Sequence, residues 1–178
     1  MRMTKMRYLT AVSLVFLLLL SLWGCTGVPS DNTSGKSTDY TALYNRIENK
    51  MSGLEYPEYY GGAFTDKETG KLVILAVDLA EAKENLQSVL EDFVPDAYVF
   101  KECAVSYREL MAVYQKICDS IQPLAAQQIS TPAVAIDVIN GQVTVGVLSL
   151  NEEKAQAIRA MIGSEYLYLY DSPGVTLD

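Results

Sequence analysis

AFTDKETGKLVILAVDLAEAK, residues 63–83, and VAIDVINGQVTVGVLSLNEEK, residues 134–154, decide how this chain folds. The two stretches align without a gap at a shift of 71 residues, with five identities in 21 positions. Asp66 meets Asp137, Gly70 meets Gly141, Leu79 meets Leu150, Glu81 meets Glu152 and Lys83 meets Lys154. These identities fall at a turn and at a helix start, where backbone geometry restricts residue type. In each stretch a Gly-closed turn separates two β-prone runs, the pattern of a hairpin. Each hairpin leads into a capping-box-like start, Asp78 with Glu81 and Ser149 with Glu152. The first helix carries Leu79, Ala82, Leu86, Val89, Leu90 and Phe93 at helical spacing until Pro95 stops it. The second carries Ala157, Ile158, Met161 and Ile162 until Gly163. A strand follows each helix, Ala97–Phe100 and Tyr166–Tyr170. The repeating unit is therefore β-β-α-β, occurring twice.

Working outward, residues 39–55 read as an N-terminal amphipathic helix with Tyr40, Leu43, Tyr44, Ile47 and Met51 on one face. Ser106, with Glu109, caps the longest helix, striped by Tyr107, Leu110, Met111, Tyr114, Ile117, Cys118 and Ile121. Pro123 is expected beyond its end, with a linker over 124–132. The fold class is α+β: two β-β-α-β units, 56–104 and 132–178, joined by a helix and linker over 105–131.

The first 24 residues have the form of an export signal. Arg2, Lys5 and Arg7 precede an apolar run, Tyr8–Trp23, shorter than the ~20 residues of a spanning helix. Leu22-Trp23-Gly24-Cys25 resembles the lipobox of bacterial lipoprotein precursors, although Trp23 is bulkier than that pattern usually has. That resemblance implies lipid on Cys25 and a place on the outer face of the bacterial cytoplasmic membrane. An uncleaved signal anchor, with Cys25 incidental, is the alternative. Residues 25–38 lack apolar periodicity and read as a flexible tether.

Without Arg2, Lys5 and Arg7, 11 basic residues stand against 22 acidic ones, a net charge of −11. Such a surface argues against nucleic acid as a partner and against peripheral docking on anionic lipid. The absence of histidine removes Ser-His-Asp and Cys-His nucleophilic sites and the commonest zinc ligand. No phosphate loop or metal-spaced cysteine set occurs, so no cofactor, metal or catalytic residue is expected. Asp66, Asp78, Asp137, Glu81 and Glu84 are the available carboxylates, but turns and a helix cap account for the aspartates and Glu81 more simply. A helical rise of ~1.5 Å per residue puts Cys103 and Cys118 roughly 18 Å apart, too far for a disulfide, and both read as small buried residues.

Tyrosine, with 12 residues, is the enriched type. Tyr56, Tyr59 and Tyr60 cluster in one loop, and Tyr166, Tyr168 and Tyr170 alternate along one strand. Either set suits a binding face, but an aromatic layer over a core is the reading preferred.

Tyr60-Gly61-Gly62-Ala63-Phe64-Thr65-Asp66 followed by Gly70-Lys71-Leu72-Val73-Ile74-Leu75-Ala76-Val77-Asp78 resembles the pro-region of secreted bacterial chymotrypsin-like proteases, the alpha-lytic protease and streptogrisin type. Ala135-Ile136-Asp137 through Asn140-Gly141-Gln142-Val143-Thr144-Val145 is similar to a second hairpin of those pro-regions. The resemblance spans roughly residues 56–172 and implies a domain that templates a protease's folding and then inhibits it, its C-terminal tail lying in the active site. The sequence ends at Asp178, about where a protease domain would begin, so a stand-alone pro-region-like domain is expected. The segment matching the inhibitory tail is Ser172-Pro173-Gly174-Val175-Thr176-Leu177-Asp178; a frayed end without function is the alternative. The function expected is a membrane-anchored, non-enzymatic protein-binding module, a protease inhibitor or folding chaperone. It would engage an extracytoplasmic serine protease or another protein through Tyr59, Tyr60, Ser172, Gly174, Val175, Thr176, Leu177 and Asp178. The rival is a ligand-binding or sensory lipoprotein with a pocket lined by Tyr56, Tyr59 and Tyr60.

Overall fold

Two aspartates and two glycines shape the hairpins. In the computed structural model, which describes residues 36–173, Asp66 Oδ1 accepts the backbone N–H groups of Glu68 at 2.8 Å and Thr69 at 3.3 Å. Asp137 Oδ1 accepts that of Asn140 at 3.1 Å. Gly70 and Gly141 then take φ of +69° and +61°, the left-handed region that favours glycine. The turns join β1 (Tyr60–Thr65) to β2 (Leu72–Ala76), and β4 (Ala133–Asp137) to β5 (Gln142–Leu148), both pairs antiparallel. After each hairpin a helix crosses over, α2 (Leu79–Leu90) or α4 (Glu152–Ile162). It returns the chain parallel to the central strand, as β3 (Tyr98–Glu102) beside β2 and β6 (Leu167–Ser172) beside β5. The sheets have orders β1-β2-β3 and β4-β5-β6, so the sequence repeat is a repeat of topology.

Before the first unit lies α1 (Tyr40–Gly53), capped by Asp39; between the units lies α3 (Tyr107–Ala126), opened by a reciprocal capping box between Ser106 and Glu109. The first core joins Leu43, Ile47 and Met51 of α1 to Leu72 and Ile74 of β2 and Leu86 of α2. The second joins Leu110, Ile117 and Leu124 of α3 to Val143, Val145 and Val147 of β5 and Ile158 of α4. Each such aliphatic side chain contributes about 1.5–3 kcal/mol on leaving water.

Several boundaries differ from the sequence reading. Pro123 lies inside α3, which runs on to Ala126 because Leu124 is fully buried in the second core. The linker shrinks accordingly, and Gln128, one residue past the Gln127 cap of α3, takes φ +62° without a glycine to announce it. Asn151, and not Ser149, caps α4, accepting the Lys154 N–H at 2.9 Å. Ser149 stands at φ +51° in a turn clamped by Lys154 Nζ, which donates to the Leu148 and Ser149 carbonyls at 2.6 and 3.0 Å. The expected tether also ends early: Ser37 pairs with the 92–94 segment, its N–H donating to Asp92 O at 2.8 Å and its carbonyl accepting from Val94 at 3.0 Å. Cys103 and Cys118 are both free, as read, but half-buried instead of buried.

The second hairpin's turn packs on the first unit. A Cβ on Gly62 would come within 2.8 Å of Val138 Cγ1, and one on Gly141 within 2.9 Å of Val105 Cγ1. Gly70 has the same left-handed backbone and open space around it, so the pair separates backbone strain from lost docking. Gly70→Ala is expected to cost about 1–2 kcal/mol, the strain alone, and Gly141→Ala about 1–3 kcal/mol more. Urea unfolding of the two variants measures the difference.

Candidate interaction surface

Tyr60 opens β1 with its ring fully buried, and its hydroxyl donates to Glu48 Oε1 at 2.5 Å. Burial first, then that hydrogen bond and the Glu48 charge, push its pKa far above the usual tyrosine range. Tyr56 and Tyr107 complete the group, their ring centroids 4.6 Å apart. Burial, with the neighbouring Tyr56 and Glu48, raises Tyr107 to about 12. Arg108 of α3 fastens the loop by donating from Nε to the carbonyls of Tyr56 at 2.8 Å and Glu55 at 3.2 Å. Tyr59 is also buried, at 7% exposure, and its hydroxyl has no hydrogen-bond partner. Tyr59 and Tyr60 were expected at a partner surface or lining a pocket, but they are core residues offering almost no surface to either.

The exposed tyrosines lie in the second unit. Leu167 and Leu169 of β6 turn to the second core, which leaves the alternate positions on the opposite face. Tyr168 is 52% exposed and Tyr170 36%. The reading of this strand's aromatics as a layer over a core fails for these two. Register puts Tyr168 beside Thr144 and Tyr170 beside Gly146, and β4 adds Ala135 and Ala133 across from them. These six residues carry no charge. Gly146 lets the Tyr170 ring lie close, since a Cβ there would meet the tyrosine hydroxyl at 2.9 Å. The signal was the alternation of leucine with tyrosine through 166–170, two faces of different chemistry on one strand.

Among the described residues β6 is an edge strand, with β5 on one side only. Ser172, expected in the free tail, is its last residue, in register with Leu148. Gly174, Val175, Thr176, Leu177 and Asp178, like Cys25 and the whole leader, lie outside the described residues. No helix among the described residues is long and apolar enough to cross a membrane.

The carboxylates hold turns and caps. Asp78 accepts from the N–H groups of Ala80 at 2.9 Å and Glu81 at 3.0 Å. Backbone hydrogen bonds from Glu68 and Thr69 hold Asp66 below the ordinary carboxylate range. Burial pulls Asp137 upward, but side-chain and backbone hydrogen bonds from Asn140 outweigh it and its pKa is also lowered. Among the described residues no three Asp, Glu, Cys or His side chains are grouped to hold a metal ion.

Residues 30–103 match the family model of a Pro-like N-terminal domain. The match takes in α1 and the whole first unit, which is thereby pro-region-like, and ends just before the Ser106 cap of α3. The second unit lies outside it and is tied to the first by the internal repeat. No curated protein matches the chain.

Two outcomes follow for stability. Tyr60→Phe loses a charge-assisted bond and should cost about 1.5–3 kcal/mol, whereas Tyr59→Phe should be neutral or stabilising because its hydroxyl is buried unpaired. Denaturant titration distinguishes them. Asp137, with its folded pKa depressed below ~3.9, contributes stability that is full above that pH and is lost as pH falls through the folded value. Asp137→Ala should therefore lower stability at neutral pH and flatten its decline between about pH 5 and pH 2, as read by unfolding at a series of pH values.

Proposed function

We propose that this chain is an extracytoplasmic lipoprotein, anchored through lipid on Cys25, whose folded part is a non-catalytic protein-binding module acting as an inhibitor or folding chaperone of a secreted serine protease. The observation that carries the reading is the pro-like match over the first unit together with a second unit of the same topology in which, among the described residues, β6 is a free edge. A free edge has backbone N–H and C=O groups with which a partner strand can pair, and neighbouring side chains supply specificity. β6 ends at Ser172, the first residue of the segment 172–178, so the proposed edge and the proposed tail are adjacent in the chain and could engage one partner together. Tyr168 and Tyr170 flank that edge with uncharged area, which suits a partner approaching an otherwise acidic protein.

The test is capture from solubilised membranes and secreted fractions with the chain as bait, with and without residues 172–178. The expected result is tail-dependent recovery of a serine protease whose activity falls on binding. Recovery of no protease, or capture indifferent to the tail, contradicts the proposal. Metabolic labelling with an alkyne fatty acid tests the anchor: label on the wild type and none on Cys25→Ser is expected.

A further inference from the structure

The two units carry different residues at equivalent positions, and in the first a groove runs along them. Leu72 of β2 aligns with Val143 of β5, and the parallel registers then equate Tyr98 with Leu167 and Phe100 with Leu169. The leucines pack against the second core. The aromatic pair is half-buried against the first core just as the leucines are against the second, but it is bulkier and stands edge to face with centroids 6.1 Å apart. Along them, between β3 and α2, runs a cavity of about 510 Å³, with Leu90, Tyr98 and Phe100 as its apolar part and Lys83 and Gln87 on the α2 side. That is the size of a site for a few side chains.

Lys83 differs from its repeat partner in the same way. Lys154 spends its ammonium on two carbonyls of the β5–α4 turn. Lys83 makes no hydrogen bond or ion pair among the described residues and stands 5.7 Å from the centre of the Phe100 ring. Lys36, Glu84 and Glu91 also border the groove; two lysines against two glutamates disfavour a polyanion and suit a single carboxylate at Lys83. Among the described residues β3 is the outer strand of its sheet, paired with β2 and with no strand beyond it. A free strand edge, an aromatic floor beneath alternate positions of that strand, and an unpaired cation at one end fit one kind of ligand.

We infer that the β3 edge and its groove form a second binding site, which takes an extended, mostly apolar peptide segment of another protein as a fourth strand. An apolar side chain sits on Tyr98 and Phe100, and one Asp or Glu side chain or a C-terminal carboxylate meets Lys83. The site lies on the first unit and does not depend on the tail or the protease reading; either can fail without the other.

Panning a displayed library of random twelve-residue peptides against the full chain in detergent tests it. The expected result is enrichment of sequences alternating apolar residues with one acidic residue, and slowed amide exchange at residues 98–102 when the selected peptide is added. Phe100→Leu installs the residue found at the equivalent place in the second unit, so the fold should persist with little change in thermal midpoint. That variant should weaken binding about tenfold or more, and Lys83→Gln should weaken only the acidic peptides. Tyr170→Ala, on the other sheet, should leave affinity unchanged. Failure to enrich any such pattern, affinity indifferent to both Phe100→Leu and Lys83→Gln, or protection at β6 in place of β3 overturns the inference.

Discussion

Val138, on the turn of the second hairpin, presses against the first unit at the place where Gly62 has no side chain, and the position of one unit on the other depends on that contact. A Cβ on Gly62 would stand 2.8 Å from Val138 Cγ1, closer than real Cβ atoms approach. Gly141, at the end of the same turn, leaves equally little room beside Val105, the residue that leads into the capping box of α3. The connecting helix, the first strand and the second hairpin therefore meet at one point. Interiors packed to crystal-like density do not give gradually, so the joint has one seated arrangement.

From this joint the two units diverge in purpose while sharing a topology. β2 is buried along its whole length, on both faces. β5 buries Val143, Val145 and Val147 on one face, while on the other Thr144 is half-buried and Gly146 lies against the Tyr170 ring. The first unit thus serves as the base, with α1 covering one side of it, and the second holds out an uncharged face and a strand edge. The Pro-like match falls on the base, and the surfaces suited to a partner fall chiefly on its repeat.

Much of this was legible in residues that answer to local geometry. Asp66, Gly70, Asp137 and Gly141 announce the hairpins because few other residues serve a turn with positive φ. Ser106 and Glu109 announce α3 because a capping box is a short-range device. What stayed hidden depended on distant packing. Burial of Leu124 carries α3 past Pro123, and the Lys154 clamp with Asp171, which accepts from Leu150 N–H at 2.9 Å, displaces the start of α4 to Asn151. The tyrosines show the same division. Tyr59 and Tyr60 look like loop residues until Glu48, twelve residues before Tyr60, is seen to take the Tyr60 hydroxyl in the core. The exposure of Tyr168 and Tyr170 follows from leucines that alternate with them, but only once one knows which face the helices cover.

The central claim is that the second unit is held by the first and so presents its edge and its tyrosine face in a fixed place. Native-state hydrogen exchange under rising denaturant addresses it most directly, by comparing the opening free energies of amides in β2 and β5. The account predicts that Val73–Leu75 and Val143–Val147 open together at the global free energy, as one cooperative body. If β5 opens well below β2, with a separate dependence on denaturant, the joint at Val138 does not hold the units together and the account is wrong.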